Sequence, residues 1–193
     1  MQFIQARNFT PAQRTTARLL VVHSMEAPEK PGTALAVANW FAGPNAPQAS
    51  AHFCVDADVM IQCVHLHDVA WAAPGANSDG IHLEHAGFAA QTPEQWADDY
   101  SHRLLDRSSF LAASLCARFS IPARWLTVEE VRDKKRSGIC GHHEVSLAFG
   151  KSTHTDPGRN FPRDRYIALV DDALNGQAEP FPLPPSDPLP GAA

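Results

Sequence analysis

Leu19-Leu20-Val21-Val22-His23 is the stretch on which the fold turns. Consecutive large apolar residues, two of them β-branched, suit a strand buried on both faces, as in the middle of a sheet. The run ends on an imidazole. Strand ends are where α/β folds hold functional side chains, because the sheet fixes the position while the loops leave access open. By itself His23 suits either a hydrogen-bonded histidine at a sheet end or a metal ligand.

Outward from this strand, helical and extended patterns alternate. Thr33 to Phe41 reads as a short helix, with Thr33 as its cap and Leu35, Val37, Ala38 and Phe41 as its apolar side; Gly43-Pro44-Asn45 stops it. Ser50 to His65 reads as a hairpin turning at Asp56-Ala57-Asp58. Ala72 to Asp79 is a loop. Ile81-His82-Leu83-Glu84-His85 alternates, placing Ile81, Leu83 and His85 on one face and His82 and Glu84 on the other. Thr92-Pro93-Glu94-Gln95 is a capping box that opens the longest helix, which ends before Pro122 and bends near Ser108-Ser109. Thr127-x-x-Glu130 caps a helix expected to run to Arg136 and end at Gly138. Ile139-Cys140-Gly141-His142 resembles another short strand end, and Asp164 to Leu174 a final helix. The alternation predicts a single α/β domain with a central mixed β-sheet flanked by helices, over residues 1–175. Six prolines within residues 176–193 read as an extended tail or linker.

Composition narrows the function. The 193 residues suffice to bury roughly 70% of the unfolded surface, so no disulfide staple is needed. Apolar residues at 44% and charged residues at 19% are ordinary for a folded domain. A net charge of −5 with no basic stripe offers nothing to nucleic acid, and no apolar run approaches a membrane span. Met1 to Thr10 lacks a signal-peptide pattern, so synthesis in the cytoplasm without an export signal is expected. Cys54, Cys63, Cys116 and Cys140 form no C-x-x-C pair and are expected as free thiols.

Histidine is abundant, with ten residues. Gly141-His142-His143-Glu144 follows a strand end, and Thr153-His154-Thr155-Asp156-Pro157-Gly158 comes soon after, with Asp156 fourteen positions beyond His142. Two histidines and a carboxylate, with a fourth position open to water, make a catalytic zinc shell. Asp-Pro-Gly also occurs as a plain turn. His143 and Glu144 read as supporting or surface groups. His65-x-His67 reads as exposed residues on a strand face, and Trp71 and Trp96 as core. His52 suits either the site or the hairpin. Arg132 to Arg136, with basic residues at four of five positions, reads as a solvated helix face.

Six segments then occur in one order: Leu20-Val21-Val22-His23-Ser24, Ser50-Ala51-His52-Phe53, Val69-Ala70-Trp71, Ile81-His82-Leu83-Glu84-His85-Ala86-Gly87, Gly141-His142 and Thr155-Asp156-Pro157-Gly158. The series resembles the zinc-dependent type 2 N-acetylmuramoyl-L-alanine amidases, a family of phage endolysins, peptidoglycan-recycling amidases and peptidoglycan recognition proteins. The resemblance runs from about Leu19 to Leu174. It implies a zinc ion (Zn2+) held by His23, His142 and Asp156. It implies a catalytic glutamate at Glu84, which passes a proton from water to the departing amine. His154 stands where the family often carries lysine, which implies a role in stabilising the oxyanion. Three positions depart from the family pattern: Trp71-Ala72-Ala73-Pro74-Gly75 lacks the usual histidine, His82 replaces a glycine, and His154 replaces the lysine. None removes a zinc ligand or the glutamate. The expectation is therefore an enzyme cleaving the amide between N-acetylmuramic acid and L-alanine in peptidoglycan, as an endolysin or its catalytic module acting on the bacterial wall. A wall-binding domain beyond the tail would fit that role. The alternatives are a non-catalytic recognition module and a cytosolic recycling amidase.

Overall fold

The computed structural model describes residues 1–176. Two short strands, β1 (Gln2–Phe3) and β2 (Phe9–Thr10), precede β3 (Leu19–Ser24), which is buried from end to end. Helix α1 (Thr33–Ala42) leads to the hairpin β4 (Phe53–Val55) and β5 (Met60–Gln62), then β6 (Val69–Ala70) and β7 (Gly80–His85). Helices α2 (Asp99–Phe119) and α3 (Val128–Arg132) come next, then β8 (Gly138–Gly141), α4 (His142–Phe149) and α5 (Arg163–Leu174).

Six strands form one mixed sheet in the order β1-β5-β4-β7-β3-β8, while β2 and β6 make a separate antiparallel pair. β3 runs parallel to both β7 and β8, and β4 runs parallel to β7. The central strand is thus walled on both edges and both faces, as its apolar run requires. On one face Leu20, Val22, Ile81 and Leu83 pack with Leu104, Leu111 and Leu115 of α2 and Val170 of α5. On the other, α1 covers the hairpin end, and α4 packs with Leu19, Val21 and Cys140. Helices on both faces of a mixed sheet are the architecture expected from the alternation.

Several boundaries differ from the sequence reading, each for a local reason. The cap of α1 is not Thr33, whose hydroxyl donates to Pro28 O at 2.8 Å. The backbone N–H of Ala34 instead donates to the buried carboxylate of Asp56, reaching over from the hairpin turn at 3.0 Å. Leu35 is exposed, and Ala34, Ala38 and Phe41 form the buried stripe. The capping box at Thr92 closes only a 3-10 turn over Gln95–Ala97; α2 starts later, with Asp98 accepting from Ser101 N at 2.8 Å. α2 runs unbroken through Ser108-Ser109, because Ser108 points inward to His85 and Tyr166. α3 does keep its predicted capping box but stops at Arg132. Beyond it the Asp133 carboxylate turns back to accept from Lys135 N, competing with helical continuation.

His65 and His67 lie in a turn rather than on a strand, their rings stacked on each other. Trp96 is core, but Trp71 is 37% exposed, so the expectation that it is core is corrected. All four cysteines are free and buried, and the Sγ atoms of Cys54 and Cys63 are 3.9 Å apart. No helix among the described residues is long and apolar enough to cross a membrane. The expected tail over residues 176–193 lies, apart from Gly176, outside the described residues.

Asp56 joins two elements: one oxygen caps α1, and the other accepts from Asp58 N and Val59 N at 2.9 and 2.8 Å. Asp56→Ala is expected to lose about 2–4 kcal/mol of unfolding free energy in urea titrations. Asp58→Ala, on the exposed side of the same turn, is expected to stay within about 0.5 kcal/mol of the parent.

Candidate active site

The parallel strands β3, β7 and β8 end side by side, and the residues at and just beyond those ends build one cleft. His23 is the penultimate residue of β3 and lies in register with Glu84 on β7. His142 is the first residue of α4, directly after β8. That helix is absent from the sequence reading, although its signals are present. Glu144, three residues after Gly141, accepts the Gly141 N–H at 2.8 Å; Val145 and Ala148 are buried; and Gly150 closes the helix in the left-handed region.

The loop carrying Asp156 is bound to the start of this helix. The His143 N–H donates to Asp156 O at 2.9 Å. Pro157 packs so close to Gly141 that a Cβ there would stand 2.6 Å from its Cδ, so only glycine allows the approach. Glu144 is buried and also meets Arg163 at 3.0 Å, so it supports this corner rather than lying at the surface.

The result is a convergence of three nearly buried side chains. His23 Nδ1 lies 3.1 Å from Asp156 Oδ2, and His142 Nδ1 lies 3.3 Å from Asp156 Oδ1. One ligand atom from each of the three falls within 4.8 Å of the others. A tetrahedral ion with arms of 2.0–2.1 Å has ligand–ligand edges of about 3.3 Å, close to the two His–Asp separations. The far nitrogen of His142 faces the Ser152 hydroxyl at 3.3 Å, which leaves Nδ1 free as the donor atom.

His154 stands apart from this set. Its ring stacks on that of His142 at 4.3 Å, and its Nδ1 is 3.3 Å from Asp156 Oδ1, but its side chain is 63% exposed. Glu84 lines the same cleft as the three convergent residues. One of its oxygens, Oε2, is sealed off and has no hydrogen-bond partner among the described residues. His52 is buried behind the cleft, where its Nδ1 accepts the backbone N–H of His82 at 3.0 Å.

Charge follows from this burial. Desolvation would raise Asp156, but hydrogen bonds from His142 and His23 outweigh it and hold the carboxyl well below its usual range. Burial lowers His23, against the pull of Asp156. Both directions favour the unprotonated forms a cation needs. Glu84 is pushed well above its usual range, first by burial and then by the Asp156 charge. An orphaned carboxylate beside an anionic one is the environment that a bound cation relieves.

The cleft of about 220 Å³ continues past Met25, Val37, Trp40 and Trp71. A second, more open cleft of about 290 Å³ lies beyond His154, lined by Glu26, Thr153 and Thr155. Sequence reading missed Ser152, Trp40 and Glu26. Only Glu26 carries a backbone signature, a φ of 51° in the left-handed region.

The family model described as N-acetylmuramoyl-L-alanine amidase matches residues 13–159, and the chain belongs to that family. It is an amidase of this kind, and solved structures share its fold. Among those structures is the Staphylococcus aureus hydrolase AmiA in complex with its ligand, at 18% identity and a TM-score of 0.68, covering 93% of this chain and 87% of that one. AmpD is 19% identical with a TM-score of 0.62, covering 88% and 93%. A mutant endolysin from Bacillus subtilis is 20% identical with a TM-score of 0.55, covering 88% and 99%. No curated protein matches the sequence significantly.

Because the folded state holds a proton on Glu84 that the unfolded chain releases, this group lowers stability as pH rises from the ordinary carboxylate range through its raised value. In metal-free protein, Glu84→Gln is therefore expected to melt a few degrees higher than the parent at neutral pH. The two melting curves are expected to converge below about pH 4, and added zinc to narrow the gap at neutral pH.

Proposed function

We propose that the chain is a zinc-dependent hydrolase of the amide joining the lactyl group of N-acetylmuramic acid to L-alanine of the stem peptide, with the ion held by His23, His142 and Asp156. The observation that carries this reading is the convergence of those three ligand atoms in a cleft that also holds Glu84, on a chain of the amidase family. When bound, zinc supplies Lewis-acid polarisation of a carbonyl and acidification of water.

The chain's own groups do the rest. Glu84 takes a proton from the attacking water and hands it to the departing amine. With a cation held beside Asp156 to offset the anionic neighbour, Glu84 stays ionised and able to accept that proton. His154, at the mouth and stacked on His142, donates a hydrogen bond to the oxygen that gains charge. The two clefts, which share Glu26, His154 and Asp156, suit an extended substrate whose reacting amide lies where they meet.

Residues 1–175 are read as the catalytic domain of an endolysin-type enzyme acting on the bacterial wall. The endolysin among the similar solved structures supports this reading.

Purified protein is expected to hold about one zinc per chain, and His142→Ala to lose it. Glu84→Gln is expected to keep zinc while turnover falls by about 10²–10⁴. His154→Ala is expected to keep zinc and lose about 10² in kcat. Mass spectrometry of a wall digest should show free N-acetylmuramic acid ends and stem peptides beginning with L-alanine. Zinc-loaded protein that leaves both walls and soluble muropeptides uncut would refute the assignment, and cleavage of soluble fragments alone would replace the endolysin role with recycling.

A further inference from the structure

His23 turns Nδ1 toward Asp156, so as a ligand it carries its ring proton on Nε2. That Nε2 lies 3.1 Å from Nδ1 of His82, and both rings are buried. His82 must then accept at Nδ1 and bear its own proton on Nε2. Its Nε2 is sealed from solvent and has no partner among the described residues. Buried donors are nearly always paired, so a ring kept only for packing should not sit this way. The orientation gives up one hydrogen bond at Nε2 and keeps the one at His23.

The ring is also clamped. His52 stacks on it with centroids 5.6 Å apart and planes 15° from parallel. His52 Nδ1 accepts the His82 backbone N–H at 3.0 Å, which fixes the strand beneath the ring. On the far face of β7, the His85 ring donates to the backbone carbonyl of His23 at 3.1 Å. The side chain and main chain of His23 are therefore both held by residues of β7.

We propose that His82 is a positioning residue of the metal centre: by accepting a hydrogen bond from His23 Nε2–H, it fixes the tautomer and ring angle that aim Nδ1 at the ion. This rests on the reading of His23 as a ligand.

The test is zinc affinity, measured by chelator competition on His82→Phe, which keeps a ring but no acceptor, and His82→Asn, which returns an acceptor near the Nδ1 position. Circular dichroism and melting of the metal-free proteins establish folding. His82→Phe is expected to bind zinc about 10–100-fold more weakly than the parent, with His82→Asn recovering most of the loss. Nitrogen-15 NMR of the zinc-loaded parent is expected to show the His23 proton on Nε2. Unchanged affinity in folded His82→Phe, equal losses in both folded variants, or a proton on His23 Nδ1 would each overturn the proposal. If His82→Phe does not fold, near-parental affinity in His82→Asn with the Nε2 tautomer sustains it, and a loss of tenfold or more in His82→Asn overturns it. A parent that binds no zinc overturns the metal reading as well, whereas a zinc-binding parent with an indifferent His82→Phe overturns this proposal alone.

Discussion

A carboxylate held almost out of water, with imidazole nitrogens facing its two oxygens, is the constraint around which this protein is arranged. Burying an anion is costly unless it is paired or accepts hydrogen bonds. Asp156 remains ionised, because hydrogen bonds from His142 and His23 outweigh desolvation. The loop is kept there by the His143 N–H and by the close approach of Pro157 to Gly141. Without these contacts the loop could swing out and hydrate its charge.

The two faces of the sheet divide the work. The face under α2 and α5 is a hydrocarbon core in which Leu20, Val22, Ile81 and Leu83 fix the strand positions to within a side-chain contact. The other face carries His23, His82 and Glu84 at the same strand ends, and two of their polar atoms, Glu84 Oε2 and His82 Nε2, are sealed without partners among the described residues. A fold relaxed only for stability would fill those positions with apolar side chains. Local conflicts of this kind collect where a site needs them, and the opposite core sustains the strain.

Much was legible in the chain before folding because it is local. Leu19 to His23 reads as a buried strand since its apolar content leaves no face for water, and Ile81 to His85 shows its two faces by alternation. The helix boundaries were harder. α1 is capped by Asp56 from another element, and the capping box at Thr92 closes a turn and not the long helix. Asp56 is not visible from the sequence around α1, whereas the Asp98 cap of α2 is local but follows a capping box that is equally plausible. α4 was legible in principle, from Glu144 to Gly150, but Gly141-His142-His143 resembles a loop until Val145 and Ala148 are seen to be buried.

For the site, the sequence by itself determined which side chains were available and at which strand or loop ends they stood: His23, Glu84, His142, His154 and Asp156. Tertiary structure alone decided which of them meet. His23 and Asp156 are 133 residues apart, and their 3.1 Å contact exists because β3 pairs with both β7 and β8 while the loop after α4 folds back over Gly141. It also decided that His154 lies at the mouth, that Trp71 is partly exposed, and that His82 sits behind His23. Ring orientation, burial and the resulting pKa shifts depend on neighbours brought together by sheet pairing, and no pattern along one stretch of chain encodes them.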